Sequence, residues 1–166
     1  GTFEDDIYRR DFTINTLAIS LNAGNYGKLI DTFDGLQDLE EGIIKTPLDP
    51  KVTFSDDPLR MMRAVRFATQ LNFKIEDETY HALQTESNRL TIISQERITD
   101  ELNKIIAAKK PSIGFKILFN TKLLHQFFPE LVKLQGVEIR EGKGHKDNFY
   151  HTLQVLDQLC ERSDDI

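Results

Sequence analysis

Ser55-Asp56-Asp57-Pro58-Leu59-Arg60-Met61-Met62-Arg63-Ala64-Val65-Arg66 is the stretch on which the reading of this chain turns. Proline is welcome at the first helical position, and an aspartate just before it can cap the open amide groups. The segment therefore predicts a helix from near Asp57-Pro58 to about Leu71. Helical residues advance by about 100° each, so steps of three drift by only about 60°. Asp57, Arg60, Arg63 and Arg66 then form one slanting row, with Met61, Met62, Ala64, Val65 and Ala68 clustered on the other side. The helix is expected to bury the apolar face and to present carboxylate and guanidinium groups on the opposite one.

Upstream of that helix the pattern differs. Between 12 and 38, short apolar runs at 17–21 and 28–33 flank the turn-rich Asn22-Ala23-Gly24-Asn25, which predicts a two-stranded hairpin. Beyond Thr53 a 3.6-residue periodicity takes over. A second helix is expected over 76–87, with acidic residues in its first turn. Ser94 opens a third, with Ile98, Leu102, Ile105 and Ile106 on one stripe, stopping before Pro111. The apolar-rich 113–131 predicts two short helices, and 136–145, with three glycines and mixed charge, predicts a linker. A last helix begins near Asp147 and carries Phe149, Leu153, Leu156 and Cys160. The predicted fold class is mainly α with a small α/β portion at the N-terminus.

The 166 residues suffice for one ordinary domain or two small helical pieces. With 29% charged and 39% hydrophobic residues, the chain can bury a core and is no disordered polar polymer. Asp and Glu outnumber Lys and Arg by 27 to 21, giving a net charge of −6. No global basic field advertises nucleic acid, so any phosphate contact must come from local clusters. The single cysteine excludes an internal disulfide, which fits a reducing cytoplasm. No apolar run approaches the roughly 18 residues of a membrane span, so no membrane partner is expected. Oligomeric state cannot be read from the chain.

The arginine row admits two readings. One is a solvated face with Asp57 as a cap and an i,i+3 ion pair. The other is a nucleotide site. Arginines supply rigid paired donors for phosphate, and a carboxylate beside a guanidinium can read base edges. Adenine and cytosine each present an exocyclic amino donor next to a ring-nitrogen acceptor, which Asp57 and Arg60 could meet. Guanine and uracil show the reverse order and would be refused.

Other segments carry a resemblance. Asp6-Ile7-Tyr8-Arg9-Arg10-Asp11-Phe12-Thr13-Ile14-Asn15-Thr16-Leu17-Ala18 resembles a signature of the bacterial-type tRNA nucleotidyltransferase/poly(A) polymerase family, which includes the class II CCA-adding enzymes. Asp31-Thr32-Phe33-Asp34-Gly35-Leu36-Gln37-Asp38-Leu39 resembles the family block that joins head to neck. Asp56-Asp57-Pro58-Leu59-Arg60 with Arg63, Arg66, Phe67 and Ala68 is similar to the neck motif, where the family more often has glutamate at the place of Asp56. Glu96-Arg97-Ile98 with Glu101-Leu102 resembles a fifth block, a helix that braces the neck. The four blocks stand in family order between residues 4 and 106.

The resemblance implies that Arg10 contacts the phosphates of the incoming nucleotide, while Asp11 and Asn15 hold its sugar or shape the pocket. It implies that Asp57 and Arg60 read the base of ATP or CTP, and that Arg63 and Arg66 support the nucleotide and the neighbouring helix. Glu96 is either part of the brace or a first-turn residue complementing the helix dipole. The family's catalytic head carries a glycine-rich turn and an Asp-x-Asp pair that holds two Mg2+ ions, and nothing before Asp11 here supplies them. The chain is accordingly expected to be the central part of a longer enzyme and to add no nucleotide by itself. The segment around His151 resembles the opening of an HD-type phosphohydrolase domain, with His151 as its first metal ligand, although one histidine makes no metal site. His125, in an apolar run, is expected to be structural.

The organisation so implied is 1–45 as the end of a nucleotidyltransferase head, 46–135 as a helical neck for base recognition and RNA binding, and 136–166 as the start of an HD-type domain. The implied function is cytoplasmic, template-independent addition of CCA from CTP and ATP to tRNA 3′ ends. Poly(A) polymerase, CC- or A-adding enzymes, the start of a phosphohydrolase and a helical RNA-binding module are the alternatives.

Overall fold

The computed structural model describes residues 1–133, 151–154 and 157. The chain begins with α1 (Phe3–Tyr8), started by a capping box in which Thr2 and Asp5 satisfy each other's backbone N–H groups. A 3-10 turn (Thr13–Asn15) follows, then β1 (Ala18–Ile19) and β2 (Leu29–Ile30). These two strands form the predicted hairpin, antiparallel with Ala18 opposite Ile30. Next come α2 (Gly35–Glu41), β3 (Ile43–Ile44) and α3 (Pro50–Asp56), the last opened by Asp49, whose carboxylate accepts the Lys51 N–H.

The central element is α4 (Leu59–Leu71). Asp57 accepts the Leu59 N–H at 3.1 Å, as its position before the first turn predicts. The helix stops at Asn72, which takes the left-handed conformation at φ 54°, one that asparagine tolerates better than most residues. Met61, Met62, Ala64, Val65 and Ala68 are all fully buried. Burial of side chains the size of valine or methionine contributes about 1.5–3 kcal/mol each.

After α4 come β4 (Lys74–Ile75), α5 (Asp77–Glu86), a 3-10 segment (Ser87–Ile92) and α6 (Gln95–Ile106). Then follow α7 (Pro111–Asn120), α8 (Leu123–Phe127) and α9 (Pro129–Val132), three helices where two were expected. The positive-φ residue Lys122 and then Pro129 divide this apolar stretch. A parallel bridge pairs Ile43 with Lys74 and Ile44 with Ile75, closing a crossover around α3 and α4. Two-residue strands are too short for a period-2 signal, so this pairing left no mark in the sequence.

Around α4 pack α3, α6 and α7. A Cβ on Gly114 of α7 would lie 2.6 Å from both Thr69 Oγ1 and Ile105 Cγ2, so this close approach of three helices needs glycine. Residues 151–154 are helical, Leu153 joins the core, and the Asp157 carboxylate accepts both the N–H and the hydroxyl of Ser112 at the start of α7. The predicted linker at 136–145, together with Phe149, Leu156 and Cys160, lies outside the described residues.

Arg66 does not share the exposed face of Arg60 and Arg63 but is 9% exposed and buried. Two steps of three rotate it by about 120° from Arg60, far enough to turn it toward α6. Its guanidinium is held there by Glu101, itself 5% exposed, with Gln70 accepting a further bond at 3.4 Å.

Two titrating groups report on this body. Burial pushes the Glu76 carboxyl up, but the N–H and hydroxyl of Thr79, the N–H of Glu78 and the charge of Lys45 outweigh it and hold the group below its ordinary range. His125 lies 5.5 Å from the Phe119 ring, and its Nδ1 is buried without a hydrogen-bond partner. Burial first, and Lys122 second, lower its affinity for a proton, as befits a structural histidine.

Candidate functional site

A cavity of about 470 Å3 opens between the end of α1, the 3-10 turn and the first turns of α4 and α6. That volume lies within the roughly 300–1,000 Å3 of small-molecule sites. Its walls are Arg9, Arg10, Asp11, Asn15, Asp57, Arg60, Arg63 and Arg97, with Leu59 and Phe67 supplying the apolar surface. Five guanidinium groups against two carboxylates make a cationic pocket in an acidic chain, suited to an anion.

The second sequence block holds the first one in place. Asp31 caps α2 by accepting the N–H groups of Gly35 and Leu36 at 2.7 and 3.0 Å. Gly35 lies against the carbonyl of Thr13, which a Cβ would strike. The Thr13 hydroxyl donates to Asp38 at 2.6 Å, and its N–H donates to the Lys45 carbonyl at 2.8 Å. The 3-10 turn carrying Asn15 is thus clamped from three directions.

Asp11 ties that turn to α4. One of its carboxylate oxygens accepts the Phe12 N–H and the Asn15 side-chain amide, both at 3.0 Å. The other accepts Arg63 Nε at 2.6 Å, and the aspartate side chain is 8% exposed. Arg63 and Arg66 both lie over the Phe67 ring, at 5.3 and 4.3 Å, and Phe67 meets the edge of Phe12. Arg10 donates to Asp6 at 2.8 Å and to the Asn15 carbonyl at 3.3 Å.

Asp57 and Arg60 both face the cavity. Arg60 donates to the carbonyls of Thr53 and Arg9 at 3.1 and 2.9 Å, joining the neck to the end of α1. Asp57 receives Leu59 N–H on one oxygen and Arg97 on the other, at 3.2 Å. A carboxylate offers about four acceptor positions and a guanidinium about five donors, so each keeps capacity for a ligand.

Of the residues singled out in the sequence, Arg10, Asp11, Asn15, Asp57, Arg60 and Arg63 meet at this cavity, and Arg66 sits behind it. His151 is exposed, and no group of three or more His, Cys, Asp or Glu able to hold a metal occurs among the described residues. Arg9 and Arg97 also line the cavity, beyond the residues that the sequence points to. Arg97 could have been found from charge order, since Arg97 and Glu101 on α6 complement Asp57 and Arg66 in the α4 region. The brace to α4 runs through these two residues, whereas Glu96 is exposed.

The chain matches known proteins over most of its length. Residues 1–45 match the poly(A) polymerase head domain, and residues 72–134 match the "probable RNA and SrmB-binding site of polymerase A". The CCA-adding enzyme of Ligilactobacillus salivarius is 45% identical over 122 residues, covering 74% of this chain and 29% of that protein. The Bacillus stearothermophilus CCA-adding enzyme in complex with CTP superposes with a TM-score of 0.73 at 30% identity, over 94% of this chain and 34% of that one. The Thermotoga maritima CCA-adding enzyme complexed with tRNA gives 0.72 at 35% identity, over 93% and 41%. The chain thus spans well under half the length of these relatives. It belongs to the bacterial-type tRNA nucleotidyltransferase/poly(A) polymerase family.

Proposed function

We propose that this chain is the base-selecting and RNA-facing part of a template-independent nucleotidyltransferase that adds CMP and AMP, from CTP and ATP, to tRNA 3′ ends. The observation that carries this reading is the placing of Asp57 and Arg60 on one wall of a cationic cavity that also contains Arg10 and Arg63. Asp57 accepts the exocyclic amino group of cytosine or adenine, and Arg60 donates to the adjacent ring nitrogen. A base with a carbonyl in place of the amino group sets acceptor against acceptor and loses both bonds. Such mismatches leave buried polar groups unpaired and cost about 1–3 kcal/mol each. Arg10, with Arg9 beside it, meets the phosphates. Asp11 and Asn15 shape the sugar side, and Arg66 supports the site from behind by fixing α6.

In domain terms, 1–45 closes a head, 46–135 forms the neck, and 136–166 opens an HD-type domain in which His151 is a first ligand. Nucleotidyltransferases of this kind use divalent metal, and we assign Mg2+. The described residues of this chain do not fit a metal centre, so its ligands lie outside them. No helix among the described residues is long and apolar enough to cross a membrane, and a role in tRNA maturation supports a cytoplasmic location.

Equilibrium titration with the four ribonucleoside triphosphates tests the proposal. CTP and ATP are expected to bind at least about ten-fold more tightly than UTP and GTP. Equal affinities would refute base selection, and binding of ATP without CTP would point to a poly(A) polymerase.

A further inference from the structure

α7 begins without a cap of its own. Its N-cap residue, Lys110, makes no side-chain hydrogen bond to the helix, and Pro111 at the start has no N–H to offer. The first open amide is therefore that of Ser112, which is 4% exposed, so it needs a protein partner rather than bulk water. That partner comes from 45 residues downstream. One carboxylate oxygen of Asp157 accepts the Ser112 N–H at 2.9 Å, and the other accepts the Ser112 hydroxyl. An anion there also complements the partial positive charge of a helix N-terminus. Leu153, four residues before Asp157, is 2% exposed and packed in the core. Both positions are helical, and that spacing brings two helical side chains to one face. His151 is left exposed. Ser112 in turn governs a close approach. Two residues on, Gly114 meets Thr69 of α4 and Ile105 of α6 at a distance that admits no Cβ. Those are the helices that bring Arg60, Arg63 and Arg97 to the cavity.

We propose that Asp157 and Ser112 form a conformational latch. A carboxylate from the helical stretch after the neck supplies the cap that α7 lacks, and so ties that stretch to the spacing of α4 and α6 behind the cavity. Closed, the latch holds the first turn of α7 against both helices. Released, it leaves a buried N–H and hydroxyl unpaired, and the packing around Gly114 loosens. The latch does not depend on what the cavity binds.

Amide hydrogen exchange on the 166-residue chain tests it. Asp157→Ala is expected to speed exchange at 112–115 by about ten-fold, the loss of one helix cap. Amides around Thr69 should quicken by a smaller factor, and those of α5 should not change. Asp157→Asn, which keeps an acceptor and loses the charge, should fall between Asp157→Ala and the parent chain. It carries the same comparison if the alanine variant does not fold. Ser112→Ala should add little to Asp157→Ala, because the hydroxyl acts through the carboxylate. Exchange at 112–115 that stays at the parent rate would overturn the latch. So would an even rise over α5 and α7, which would make Asp157 one of many contributors to global stability. A faster α7 with Thr69 unmoved would sever the tie to α4 and overturn the proposal as well.

Discussion

Two ion pairs join the α4 region to α6, and they have opposite environments. Asp57–Arg97 stands at the cavity, with side chains 35% and 50% exposed. Arg66–Glu101 stands behind it, at 11% and 6%. The residue types are the same and the pairs lie close in sequence, but solvent separates their roles. An exposed pair of this kind contributes about 0–1 kcal/mol, because water and salt screen it, so a ligand can displace it at small cost. A buried pair that loses one partner strands a charge in a medium that cannot solvate it. The back pair therefore fixes the geometry, and under the proposed function the front pair is the one that would exchange Arg97 for a nucleobase.

The largest expected effect falls on the back pair. Arg66→Ala or Glu101→Ala should lower unfolding stability in denaturant titrations by about 3–5 kcal/mol, and replacing both with apolar residues should recover much of that. Equal, small losses at both pairs would erase the distinction between them. Asp57→Asn should come next. The amide can turn its donor to the base, so the preference of CTP over UTP should fall by roughly five- to 150-fold, about 1–3 kcal/mol, with little change in melting. A smaller change is expected from Arg97→Met, less than about 1 kcal/mol of stability. If that variant unfolded as readily as Arg66→Ala, the front pair would be structural.

The smallest effects concern acid. The Glu76 carboxyl is held below its ordinary value in the folded chain, so its contribution is present above the unfolded carboxylate pKa and is lost as pH falls through the folded one. Glu76→Gln should flatten the stability profile in that acid range only. His125, kept neutral by burial, gives stability present above about pH 6.5 and lost as pH falls toward its lowered folded value. His125→Leu should remove that slope, and a slope that persists would exclude His125 as its source.

What was legible in the sequence follows from length and period. α4 and α6, at 13 and 12 residues, complete enough turns for their apolar stripes to stand out. α1, α2 and α3, at six or seven residues, do not, and tertiary packing carries them. Their caps were nevertheless written in the chain, as Thr2 with Asp5 and as Asp49 before Pro50. The residues on which chemistry and family blocks coincide, Arg10, Asp11, Asn15, Asp57, Arg60 and Arg63, converge on one cavity. Arg66 departs from the exposed face that its spacing predicts because a row with a step of three slowly winds around its helix. Arg9 reaches the cavity through its backbone carbonyl, which leaves no pattern in the sequence, whereas Arg97 arrives by a tertiary ion pair whose only trace is the charge order of α6.

A crystal structure of this chain with CTP bears most directly on base reading by Asp57 and Arg60. The expected complex has the cytosine amino group within hydrogen-bond distance of the Asp57 carboxylate, the ring nitrogen facing the Arg60 guanidinium, and Arg97 drawn off the oxygen it now holds. A cytosine bound elsewhere in the cavity, with Arg97 still on Asp57 and Arg60 making no contact to the base, would contradict it.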